Sequence, residues 1–131
     1  MSTIIATTLS NGSVSVPTAT VVNGSAKAWV NFNGTGTVAI RDSFNVASLT
    51  DGGVGICTVS FTSSMSDTNY SWDMGGWNNG TGNGGWNAAG SPSGSYPAGV
   101  TVNSLNCISF NSAGSFQDQE GYCASVKGDL A

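Results

Sequence analysis

The chain has 131 residues, of which 8% are charged, and a formal net charge of −4. That length holds one modest domain, and three scattered cations, Lys27, Arg41 and Lys127, cannot supply the basic footprint that a nucleic acid requires, which excludes that class of partner. No apolar run approaches the length of a membrane span, and MSTIIATTLSNG has neither a basic n-region nor a continuous apolar core, so the expectation is a chain made in a cytoplasm, without membrane insertion or a cleaved signal.

From Ile4 to Val22 apolar residues alternate weakly with hydroxyls, with Pro17 interrupting. A piece this polar cannot fold alone, and it reads as an extended arm that docks elsewhere. The stretch KAWVNFNGTGTVAIRDSFNV reads as a β-hairpin. Ala28, Val30 and Phe32 share one face of its first strand, Asn33 to Gly36 supply a turn, and Val38, Ile40, Phe44 and Val46 share one parity afterwards. On that parity Asp42 would enter the core, at a cost that a bulge near Arg41 and Asp42 avoids. The two residues are predicted to serve a structural ion pair or an interface.

Thr50 to Gly55 is a turn by composition. In Ile56 to Thr62, Cys57, Val59 and Phe61 alternate with Thr58, Ser60 and Thr62, the pattern of a half-buried strand. Thr68 to Met74 reads as the next strand, with Tyr70, Trp72 and Met74 on one side. Gly75 to Gly99 has no apolar period and reads as one long excursion or two irregular ones. Val100 to Val102, Leu105 to Phe110 and a last strand from Gly121 to Leu130 restore the alternation. No segment shows a helical period. The prediction is an all-β fold: a single antiparallel β-sandwich, jelly-roll-like, behind the short extended arm.

The absence of histidine removes Ser-His-Asp and Cys-His catalysis and His-ligated metals. The seven acids form no recognisable catalytic pair and no EF-hand pattern, and Asp118 and Glu120 read as solvated turn charges. These residues therefore point to no catalytic, cofactor or metal site. Cys57, Cys107 and Cys123 lack metal or redox spacing and read as small apolar strand residues; a bridge between Cys107 and Cys123 would need an oxidising setting. The aromatic set Tyr70, Trp72, Trp77, Trp86 and Tyr96 is the candidate contact surface, because rings set among Gly, Asn and Ser suit stacking on sugars beside hydroxyl and amide donors. The same rings also serve as pins that anchor a glycine-rich excursion.

The run AKAWVNFNGTGTVAIRDSFNVASLTDGGVG, followed by TVSFTSSMSDTNYSW, resembles a domain of tail-fibre and related virion structural proteins of bacteriophages, particularly phages of aquatic bacteria. The similarity is strong from about Ala26 to Tyr70 and loose in the last strands. The resemblance implies a non-enzymatic virion component exposed on the phage particle, either a homotrimeric tail fibre or fibre tip or a head fibre or decoration protein. It also implies an attachment and trimerisation role for residues 1–25, which would meet other virion proteins, and host-surface glycan contacts for the loops of the 26–131 sandwich.

Overall fold

The computed structural model describes residues 3–78, 86–90 and 99–131. Eight strands build two four-stranded antiparallel sheets. Strands β3 (Ala28–Asn33), β4 (Ala39–Phe44), β7 (Ser71–Trp77) and β10 (Gly121–Lys127) form one sheet in the order β4-β3-β10-β7. Strands β5 (Val46–Gly53), β6 (Ile56–Phe61), β8 (Trp86–Ala89) and β9 (Ser104–Phe110) form the other, ordered β5-β6-β9-β8. The sheets pack face to face, as the alternation predicts. Ala28, Val30 and Phe32 of β3 and Tyr122, Ala124 and Val126 of β10 meet Cys57, Val59 and Phe61 of β6 and Leu105 and Cys107 of β9 in a single core.

Two contacts set the packing at the Tyr122 end of this core. The Phe32 and Tyr122 rings stack with centroids 4.7 Å apart and planes 5° from parallel. Their approach needs Gly34, where an added Cβ would fall 2.1 Å from Tyr122 Cε2. Between the sheets, the buried Tyr122 hydroxyl and Ser109 Oγ are hydrogen-bonded at 2.5 Å, and Ser109 Oγ also donates to the Gln117 carbonyl. A polar pair inside an apolar core is thereby satisfied, and it fixes how the sheets face each other.

The segment after the first hairpin turn departs from the single parity of Val38 to Val46. Asn31 pairs with Asp42 and Phe32 with Ile40, so Arg41 is the extra residue of a bulge. The bulge keeps Asp42 out of the core, as the cost of burying it requires. Val38 remains packed on the core, but Ile40 and Phe44 are exposed rather than inward, and Val46 belongs to the opposite sheet. The chain changes sheets at Asn45, the one described non-glycine residue with positive φ, 56°. Its side chain holds the corner: Nδ2 donates to the Lys27 and Ser63 carbonyls at 2.9 and 3.1 Å, and Oδ1 accepts from the Ser63 amide at 2.7 Å. Asparagine suits both tasks, since it tolerates the left-handed conformation and offers a donor and an acceptor.

Three further differences from the sequence reading have local causes. Trp86–Ala89 is a strand, β8, inside the segment read as an excursion, because it pairs with β9 from Trp86↔Phe110 to Ala89↔Cys107. The turn expected over Thr50 to Gly55 narrows to Val54 and Gly55. There Asp118 Oδ1 accepts from the Gly55 amide at 2.6 Å, so Asp118 caps a turn from a distance rather than standing in solvent. The arm expected to be extended is a small hairpin, β1 (Thr8–Ser10) with β2 (Ser15–Pro17), followed by a helix α1 (Thr18–Gly24) that buries no residue. The Thr18 amide and hydroxyl, both donating back to the Thr7 and Ala6 carbonyls, tie the helix start to the hairpin.

Candidate functional site on the outer face of one sheet

The five predicted contact aromatics do not form one surface. Tyr70 is 6% exposed, sits edge-on to Phe61 and donates its hydroxyl to the Thr101 and Ser104 carbonyls, so it is a core ring and not a contact residue. Trp72 lies on the inward parity of β7, half-buried against the core. Trp86 begins β8 in the other sheet, and Tyr96 lies outside the described residues. Of the five, Trp77 has a described exposed side chain, at 49%.

Trp77 is also the best pinned. Its indole lies across Gly121, where a Cβ would come within 2.1 Å of the ring. The Arg41 guanidinium covers it, with its carbon 5.6 Å from the ring centroid. The bulge aims Arg41 at this position. Its Nη1 donates to the Phe32 carbonyl at 2.9 Å and to Asn31 Oδ1 at 3.3 Å, and its Nη2 to the Glu120 carbonyl at 2.5 Å. Arg41 thus joins β3, β4 and the approach to β10, a structural role, but not through Asp42, whose carboxylate accepts from the adjacent Ser43 amide.

Beside Trp77 the same outer face carries an open depression of about 560 Å³ over β3, β10 and β7. The register sets its lining: Trp29, Ser125 and Asp73 stand in one cross-strand row, and Asn31, Cys123 and Gly75 in the next. Trp29, 38% exposed, forms an apolar wall, and Phe44, 54% exposed and paired with Trp29 in register, continues it onto β4. Lys127 Nζ donates to Asp73 Oδ2 and holds the Asp73 carboxyl below the usual carboxylate range, first through that hydrogen bond and then through its charge. This is an ion pair in solvent, and it offsets the charge of the Asp73 carboxylate at the rim of the depression.

Sequence reasoning missed Trp29, although its signal was present. In AWVNFN it shares parity with Asn31 and not with Ala28, Val30 and Phe32, so an aromatic stands on the polar face of the strand. Cys123, read as an apolar core residue, is an exposed free thiol on this face. Cys57 and Cys107 are the buried ones, paired across β6 and β9; burial pushes Cys57 up to about 12 and Cys107 up as well. Cys107 faces the core and Cys123 the outside of the opposite sheet, and neither is bridged.

Among the described residues, no group of three or more Cys, Asp or Glu side chains is placed to hold a metal ion. What the outer face can do chemically is bind: it offers a ring, an amide, a hydroxyl and a neutralised carboxylate on one rigid sheet. No protein-family model, curated protein or solved structure matches the chain.

Proposed function

We propose that the chain is a non-enzymatic structural protein of a bacteriophage particle, a trimeric tail fibre or fibre tip that meets the host surface. The observation that carries this reading is the N-terminal segment. It contains no charged residue before Lys27, and seven of its large apolar side chains, Ile4, Ile5, Leu9, Val14, Val16, Val21 and Val22, are exposed. A two-stranded hairpin and a seven-residue helix of sequence TATVVNG are each marginal in water without packing. An uncharged segment that leaves seven large apolar side chains in solvent among its hydroxyls is a segment built for contact with other chains. The resemblance of Ala26 to Tyr70 to phage fibre domains supplies the kind of assembly.

The first test is solution mass. The intact protein is expected to be a trimer, and Val16→Asp with Val22→Asp should give a monomer whose sandwich melts at the same temperature as the parent; a monomeric parent would overturn the assembly role. Antibody labelling of intact particles in electron micrographs then places the chain. Label on the tail supports the fibre reading, and label confined to capsomers replaces it with a head fibre or decoration protein.

A further inference from the structure

We propose that the depression over β3, β10 and β7 binds a neutral pyranose oligosaccharide, with a sugar ring against the Trp29 indole. This goes beyond the virion reading and does not depend on it, since such a groove would serve a tail tip and a head decoration alike.

The size is suitable: about 560 Å³ lies within the range of small-ligand sites, and the open shape admits a chain from the side. The chemistry is more telling. A pyranose presents a C–H face and a rim of hydroxyls, so its recognition needs a flat π surface with donors and acceptors at the edge of that surface. Trp29 supplies the surface, and Asp73 and Ser125 stand in its own row across the sheet. Asp73 Oδ2 is engaged by Lys127 Nζ and, at 3.5 Å, by Ser125 Oγ, which leaves Oδ1 as an acceptor.

The next row, about 7 Å along the strands, completes the set. Asn31 Oδ1 accepts from Arg41 Nη1, which orients the carboxamide and turns Nδ2 into the available donor. The donor on β3 and the acceptor on β7 lie diagonally across β10, about 12 Å apart from the strand spacings, a separation that suits hydroxyls on different sugars of a chain better than two oxygens of one phosphate. Gly75 keeps the floor open, because a Cβ there would stand 3.1 Å from Cys123 Sγ and project into the groove.

Charge and solvation argue against other occupants. An anionic ligand would find Lys127 already paired with Asp73, and the Arg41 guanidinium held by the Phe32 and Glu120 carbonyls and Asn31 Oδ1. An apolar protein surface laid over this face would strip water from Asn31 Nδ2 and Asp73 Oδ1 without replacing it, a penalty that sugar hydroxyls avoid.

The test uses the full chain and a panel of neutral probes: hexaoses of α- and β-linked glucose, mannose, xylose, galactose and N-acetylglucosamine. Binding is read by calorimetry and by the rate at which iodoacetamide alkylates Cys123, the exposed thiol of the groove. At least one hexaose is expected to bind and to slow Cys123 alkylation, with affinity reduced about tenfold by Trp29→Ala, the scale of one ring contact. Should Trp29→Ala fail to fold, Gly75→Val closes the groove without touching the ring and is expected to abolish both signals. The proposal is overturned if no hexaose binds, or if binding survives both variants. It is also overturned if Cys123 becomes protected with rising protein concentration alone, together with a Trp29-dependent gain in mass, which assigns the face to a second copy of the chain.

Discussion

The sandwich and the N-terminal segment carry apolar residues of the same kinds, yet only the sandwich buries them. Val30, Phe32, Val59, Leu105 and Val126 are closed between two sheets, whereas Ile4, Val14, Val16 and Val22 face solvent. The difference lies in partners rather than in hydrophobicity. Each strand of the sandwich belongs to a four-stranded sheet with a second sheet opposite, while β1 and β2 pair only with each other and, among the described residues, face no second sheet. One region closes its apolar side chains within the chain, and the other leaves them in solvent, which is the surface the proposed assembly role would use.

Substitutions should separate these two roles, and the largest effect is expected in the core. Phe32→Ala removes a fully buried ring stacked on Tyr122 and should cost about 3–5 kcal/mol in denaturant titration. Val22→Ser, at an exposed site, should leave the unfolding of the dissociated full chain within about 0.5 kcal/mol of the parent. A core-sized loss from Val22→Ser would show that the segment packs on its own domain and would erase the distinction.

The next effect concerns the corner between the sheets. Asn45→Ala loses three hydrogen bonds and places a Cβ residue without a stabilising amide at φ 56°, for an expected loss of about 2–3 kcal/mol. Asn45→Gly keeps the conformation and loses only the bonds, so its smaller loss measures the staple by itself. Equal losses would mean that the left-handed conformation contributes nothing.

The smallest effect is a pH dependence confined to the sandwich. Burial raises Cys57 from 9.0 to about 12, and it also raises Cys107 and the Tyr122 phenol. The folded state therefore keeps these groups protonated where the unfolded chain would ionise them. Their stabilisation is complete below about pH 9 and falls as pH climbs toward 12, on the order of 1 kcal/mol per pH unit for each thiol. Cys57→Ala should make this alkaline slope shallower, with Cys107 and Tyr122 still contributing, when melting temperatures are compared between pH 8 and pH 10.5. An unchanged slope would indicate that the thiol titrates normally in the fold.

Much of the sandwich was legible because its central strands obey a two-residue period. Cys57, Val59 and Phe61 in β6 and Ala28, Val30 and Phe32 in β3 point inward as their alternation implies. The corner was not legible, because apolar residues continue on one parity from Val38 to Val46 while a bulge and a left-handed residue reset the phase twice. β8 escaped notice because WNAA gains its strand conformation from pairing with β9, a long-range contact absent from local pattern. Helix α1 escaped because Thr and Val favour strands in isolation. In the candidate site, Trp29 was visible as an aromatic out of phase with its strand. Asp73, Gly75, Cys123 and Ser125 joined it only once the register of three strands was known.

The bulge at Arg41 bears on crowding as well as on the core. β4 is an edge strand of its sheet, and β5, the neighbouring edge across the Asn45 corner, has register breaks of its own between Val46 and Ser48 and between Asp51 and Gly53. A straight edge offers a row of open amides and carbonyls to the next molecule, and a chain with few charges has little repulsion to keep that molecule away. Two irregular edges interrupt that row, so molecules crowded side by side meet broken ladders at β4 and β5 rather than a straight template on which their sheets could fuse into a fibril.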